Sequence, residues 1–141
     1  MKVSGLYQST RGDGLSEVTK LPCLGDLRQD YIAGVGRPER SVQAYSVVLK
    51  AKLGRVDLTS ITGYNNNWTL GPLDFTSIFG PVTQAEFGVP GTALIYHQRT
   101  EKAAQEVRFS APINRRFEWM AGAFFTHEHG DFLTTIDAQD R

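Results

Sequence analysis

The 141-residue chain has a single cysteine, Cys23, and no apolar run of the length that a transmembrane helix needs. About 20 consecutive apolar residues are required for such a helix, so none is expected. One cysteine excludes an intrachain disulfide framework and a Cys-rich zinc site. Net charge is missing too: 15 Lys+Arg against 15 Asp+Glu give a formal charge of zero. That balance argues against a nucleic-acid partner held by a strongly basic face, and against an acidic disordered tail. Helical periodicity is poor throughout, and the apolar residues of Leu24–Ile32 are crowded by Gly25, Gly34 and Gly36. Met1–Leu6 lacks a long apolar core, so no secretory signal is expected. What remains is 40% hydrophobic and 11% aromatic residues with 14 glycines and 6 prolines, a composition pointing to one β-rich domain with turns.

Period-two alternation supplies the strands. Tyr45, Val47, Leu49, Ala51 and Leu53 alternate with Ser46, Val48, Lys50 and Lys52. Gly54-Arg55 then fits a two-residue hairpin turn, with glycine first as a type II′ turn requires. The partner run, Val56–Tyr64, fixes a register in which Leu53 faces Val56 and Lys52 faces Asp57. A slip by one residue would push Lys50 and Lys52 among the apolar side chains. A second hairpin joins Ala103–Ser110 to Phe117–Glu128 across Ala111–Arg116, where Pro112 blocks continuation. Phe117, Trp119, Ala121, Ala123 and Phe125 form a charge-free face long enough to span a membrane. Lys2–Gln8 is a fifth strand, with Val3, Gly5 and Tyr7 on one side.

The connections alternate in length. Gly54-Arg55 and Ala111–Arg116 are short, whereas Ser9–Arg40 and Asn65–Lys102 each run to about thirty residues or more, well past the ~12–15 of ordinary loops. Strand parity puts both long connections on one side of the sheet, the pattern of outer-membrane barrels. Tyr7, Tyr45 and Tyr64 sit toward the long loops, and Phe117 and Trp119 toward the short turns, as an aromatic girdle would. Parts of both long connections can extend the strands beyond a membrane, and Leu94–Gln98 reads as a short strand. A soluble β-sandwich binding module and a small complete outer-membrane barrel are the alternatives. The first needs a buried face packed on a second sheet, the second about three more spanning strands.

Leu58-Thr59-Ser60-Ile61-Thr62-Gly63-Tyr64 resembles a barrel strand of TonB-dependent outer-membrane receptors. So do Gln105-Glu106-Val107-Arg108-Phe109-Ser110-Ala111-Pro112 and Arg116-Phe117-Glu118-Trp119-Met120-Ala121-Gly122-Ala123-Phe124-Phe125, in that order and spacing. Val3-Ser4-Gly5-Leu6-Tyr7-Gln8 with its Gly/Asp-rich continuation fits the same barrel. The likeness runs from about Ser41 to Glu128. It implies an all-β antiparallel meander of about five strands with long extracellular loops. The full receptor is a 22-stranded barrel around a plug that carries the TonB box. This chain departs from that pattern in having no candidate plug and no TonB box, and five strands cannot close a barrel. Residues 1–141 are therefore expected to be a fragment of the barrel domain, lying in the outer membrane of a Gram-negative bacterium. Its partners are lipid, the rest of the barrel and the plug, with the TonB complex reached only through that plug. Its cargo is a scarce solute such as a ferric siderophore or another metal chelate.

On that barrel, Lys50, Lys52, Asp57, Glu106, Arg108, Glu118 and Glu128 line the lumen. Asn65, Asn66, Asn67 and Trp68 begin a surface loop able to touch a ligand. No catalytic chemistry is expected. No nucleophile-elbow sequence occurs, and Gly34-Val35-Gly36 lacks the third glycine of a dinucleotide fingerprint. His127 and His129 lack a third metal ligand by spacing and read as a polar strand end, so neither cofactor nor metal is expected. Arg11-Gly12-Asp13-Gly14 reads as a turn, and Cys23 as an unpaired loop thiol.

Overall fold

A computed structural model describes residues 1–14, 30–32 and 35–140. Five strands make one sheet: β1 (Lys2–Arg11), β2 (Glu39–Leu53), β3 (Val56–Asp74), β4 (Gly91–Pro112) and β5 (Glu118–Gln139), with one helix, α1 (Thr76–Phe87), between β3 and β4. Each strand pairs with its sequence neighbours in the order β1-β2-β3-β4-β5. The sheet is thus an open antiparallel meander whose edges are β1 and β5. The expected all-β meander of five strands is present; the barrel itself is a separate matter.

The strands are longer than alternation alone indicated. β4 and β5 each run 22 residues, roughly 70 Å at ~3.3 Å per residue. Most of the second long connection, Asn65–Lys102, is therefore strand. Asn65–Trp68 lies inside β3 and does not begin a loop, which corrects the expectation. Leu94–Gln98 is the middle of β4's first half. His127-Glu128-His129 lies within β5, which continues to Gln139. Asn and Gly are weak strand formers in isolation, but a ladder already aligned by neighbouring residues carries them along. Cys23 and Gly34 lie outside the described residues.

Local contacts pin each register. Arg11 pairs with Glu39 at 3.3 Å, the Gly12 N–H donates to Pro38 O at 2.9 Å, and the Tyr45 ring lies 3.5 Å from where a Cβ on Gly5 would sit. One β1–β2 register accounts for all three. Lys52 meets Asp57 at 3.8 Å across the Gly54-Arg55 turn, as the sequence register requires. Gly54 has φ +65° with open space around it, so glycine is needed there for the turn conformation and not for room. At the other hairpin, Asn114 Oδ1 accepts from the N–H groups of Arg116 and Phe117, at 2.8 and 3.2 Å, and the Ile113 N–H reaches Phe117 O. The same β4–β5 register then holds from Arg108 over Gly122, through Lys102–Glu128 at 3.1 Å, to Gly91 against Gln139 O.

No helix was expected, and α1 explains why. Its buried residues are Thr76, Gly80 and Thr83, so the packed face is small and polar and carries no apolar period. Ile78, Val82 and Phe87 point outward. Thr83 Oγ1 bonds Thr92 Oγ1 at 3.0 Å, the Thr92 N–H donates to Thr76 Oγ1 at 3.0 Å, and a Cβ on Gly80 would lie 2.9 Å from Pro90 O. Hydroxyl contacts and close approach hold this helix, despite Pro81 in its interior. Gly88, at φ +73°, ends it in the left-handed conformation.

The chain divides into two compact units. One comprises Met1–Gln8, Val42–Asn67 and Thr100–Gly130; the other comprises Ser9–Ser41, Trp68–Arg99 and Asp131–Arg141. Neither has much of a core: among the described residues, the buried hydrophobic side chains are Ile32, Ala93 and Ala111. Among the described residues no second sheet covers the first.

Candidate functional site

The registers define two faces. Gly5 against Tyr45, Lys52 against Asp57, Ser60 against Gln105, and Lys102 against Glu128 each join neighbouring strands. Odd-numbered residues of β1, β2, β4 and β5 and even-numbered residues of β3 therefore share one face, here the odd face. The remaining strand residues form the even face.

In the unit containing Val42–Asn67, the odd face has a continuous charge-free band. It runs over Tyr45–Leu53, Val56–Tyr64, Ala103–Ala111 and Phe117–Phe125, and over Val3–Tyr7 of β1. Nine residues at ~3.3 Å, tilted ~45°, rise ~21 Å, close to the ~25 Å apolar belt of outer-membrane barrels. The side chains of this band are open to the surroundings: Leu49 is 44% exposed, Leu53 55% and Phe125 67%. The five aromatics expected to form a girdle, Tyr7, Tyr45, Tyr64, Phe117 and Trp119, all lie on this face and are exposed. They are also parted as expected, with Phe117 and Trp119 by the short turn and the three tyrosines at the far end.

Three polar side chains interrupt the band, and they satisfy one another. Gln105 Nε2 donates to Ser60 Oγ at 2.9 Å, while Thr62 Oγ1 donates to Gln105 Oε1 at 2.5 Å. Mutual pairing is what an apolar medium demands of polar groups, since an unmet one costs free energy there. At the band's far rim the Tyr64 hydroxyl reaches Glu101 Oε1 at 3.3 Å. His127 and His129 follow Phe125 on the same face of β5. Among the described residues, no group of three or more His, Cys, Asp or Glu side chains converges as a metal site.

The even face of this unit is charged: Lys2, Lys50, Lys52, Asp57, Lys102, Glu106, Arg108, Glu118 and Glu128. Of the residues singled out from the sequence, the fold brings Lys50, Asp57 and Arg108 together around a depression of about 380 Å³. Val48, Thr59, Ile61, Ser110 and Met120 complete its lining. Lys52 pairs with Asp57, Arg108 with Glu106, and Lys102 with Glu128. Glu118 lies on the same face outside the depression. These pairs are largely exposed, and each contributes at most about 1 kcal/mol. Asn65 and Asn67 fall on the even face, Asn66 and Trp68 on the odd face, so the four do not act as one patch.

In the other unit the polarity of the faces reverses. Among the described strand residues, the odd face holds Arg11, Glu39, Asp74, Arg99, Asp131 and Asp137, whereas Arg40 is the one charged residue on the even face. The even face carries instead a Tyr96–Phe132 ring pair, stacked at 6.5 Å with 26° between planes. Tyr96 lies so closely on the backbone of Gly71 that a Cβ there would fall 1.9 Å from its ring. Asp74 ties this unit together. One carboxylate oxygen accepts the N–H groups of Tyr31 and Ile32, the latter at 2.8 Å, and the other accepts the Thr76 N–H at 2.9 Å. Nearby Asp30 has its pKa raised, first by burial and then by the charge of Asp74. Gly71, Tyr96, Phe132 and the Gln105 cluster were not marked by sequence reasoning. They sit on different strands, and only the register assembles them.

No protein-family model, curated protein sequence or solved structure matches this chain.

Proposed function

We propose that the chain is a lipid-facing segment of the β-barrel of a TonB-dependent outer-membrane receptor, taking part in energised uptake of a scarce solute. The observation that carries this reading is the charge-free, exposed band repeated on five neighbouring strands, with Glu101 at its rim and the other strand charges of the same unit on the opposite face. A soluble sheet would bury such a face against a second layer, and the described residues provide none. A small complete barrel would need further spanning strands, since β1 and β5 are not paired and an unpaired edge is costly in lipid. On the receptor reading both edges pair with the remaining barrel strands. The odd face of the band meets lipid, and the charged even face, with Lys50, Asp57 and Arg108, meets water or the plug. The TonB complex acts through that plug and not through this segment. Binding and passage of solute require no covalent chemistry here, so the role is transport and not catalysis. Ferric siderophores are one solute class such receptors carry.

A nitroxide scan tests this directly. Single cysteines are placed along Tyr45–Leu53 in a Cys23→Ser background, and the full chain is reconstituted in phospholipid vesicles. Oxygen accessibility should peak at residues 45, 47, 49, 51 and 53, and that of a water-soluble nickel chelate at 46, 48, 50 and 52. Flat profiles, or the opposite phase, would overturn the reading.

A further inference from the structure

We propose that the even face around Tyr96 and Phe132 is a binding surface for an uncharged, polyhydroxylated ring, that is, a neutral saccharide. This rests on the receptor reading for its place in transport, but its evidence is separate. The polarity of the sheet inverts between the two units. Where the odd face is apolar, the even face carries the charge; where the odd face is charged, the even face is almost free of it. In that second unit the charged odd face suits water, which leaves the even face to meet something of low charge.

The chemistry of that face is specific. Phe132 is 69% exposed, and its ring is held beside Tyr96 in an offset stack. Tyr96 is seated by Gly71, where any side chain would collide with its ring. A stacked aromatic pair of this kind offers an apolar π-face, the partner that the C–H face of a pyranose ring requires. On the same face, Gln98 and Thr134 flank the pair in sequence on β4 and β5 and bring amide and hydroxyl groups that hydrogen-bond to sugar hydroxyls. An anionic metal chelate would call for several cations; among the described strand residues of this unit, Arg40 is the single one on this face.

The full chain, refolded in zwitterionic or amine-oxide micelles that carry no sugar headgroup, is titrated with maltotriose, cellotriose and chitotriose. Ferric tris-catecholate serves as the anionic probe. Saturation-transfer NMR should show saturable transfer to the ring protons of at least one trisaccharide. Affinity should fall at least tenfold in Phe132→Ala, return in Phe132→Trp, and fall in Gly71→Ala through displacement of Tyr96. No saturable binding of any trisaccharide, unchanged affinity in Phe132→Ala, or tighter binding of the catecholate would each overturn the proposal. The nitroxide alternation read in vesicles separates the two ideas. Alternation without saccharide binding removes this inference alone, whereas saccharide binding without alternation removes the membrane reading and leaves the surface as a binding site.

Discussion

Replacing Leu49 with arginine puts a cation at the middle of the charge-free band of β2. Leu49 is 44% exposed and lies four residues from each end of Tyr45–Leu53. If that face met water, the change would be an ordinary surface substitution, worth within about 0.5 kcal/mol. In a bilayer, arginine on the lipid face of a barrel strand costs about 2–4 kcal/mol at the midplane. At 1.4 kcal/mol per tenfold, that is roughly a 30- to 700-fold drop in the folding equilibrium. The control is Ser46→Arg in the same strand. Ser46 lies on the opposite, even face, which the proposal assigns to water, so its replacement is expected to cost under about 1 kcal/mol. Urea titrations of both variants in phospholipid vesicles, followed by tryptophan fluorescence, give the two numbers. Costs equal to within about 0.5 kcal/mol would refute the assignment of the odd face to lipid.

Asp74→Ala should free three backbone N–H groups at once, those of Tyr31, Ile32 and Thr76. Hydrogen bonds to a charged acceptor contribute about 1.5–3 kcal/mol each but not additively, so amide exchange at these residues should speed by at least tenfold; protection equal to that of the parent would contradict the hub role. Asp30, with its raised pKa, adds stability that is present below its unfolded value near 3.8 and is lost as pH climbs through the folded value. Asp30→Asn should flatten that part of the stability profile and exceed the parent at neutral pH, and an identical pH slope in urea titrations would show the assignment wrong. For the band's polar cluster, Gln105→Leu alone should cost about 1 kcal/mol in vesicles by stranding Ser60 and Thr62. Adding Ser60→Ala and Thr62→Val should recover most of that loss, and additive losses would show that the three side chains do not act together.

Much of the sheet was legible because a half-buried strand writes its period directly into the chain. Lys50 and Lys52 between apolar neighbours set the phase of β2, and the Gly54-Arg55 turn set its partner. The length of the strands was not legible. Beyond Tyr64 the chain reads Asn65-Asn66-Asn67, which carries turn signals and no alternation, yet the β3–β4 ladder continues through it to Asp74. Propensity is a local quantity, whereas ladder pairing is cooperative and non-local. Helix α1 escaped for a different reason: it is fastened by Thr76, Gly80 and Thr83, residues whose burial leaves no hydrophobic period.

The candidate site divides in the same way. Which residues share a face in β2 and in β5 was set by the sequence itself, since a covalent period of two puts Leu49 opposite to Lys50 in one strand and Phe125 opposite to Glu118 in the other. That the bands of five strands lie side by side was decided only by the registers, and with them the pairing of Gln105 to Ser60 and Thr62. The same is true of the reversal of polarity between units and of the Tyr96–Phe132 shelf over Gly71. These residues lie 25 and 36 positions apart along the chain, and no local rule of spacing links them. Hydrogen-bond ladders between neighbouring strands set who stands beside whom, and that information exists only once the sheet has formed.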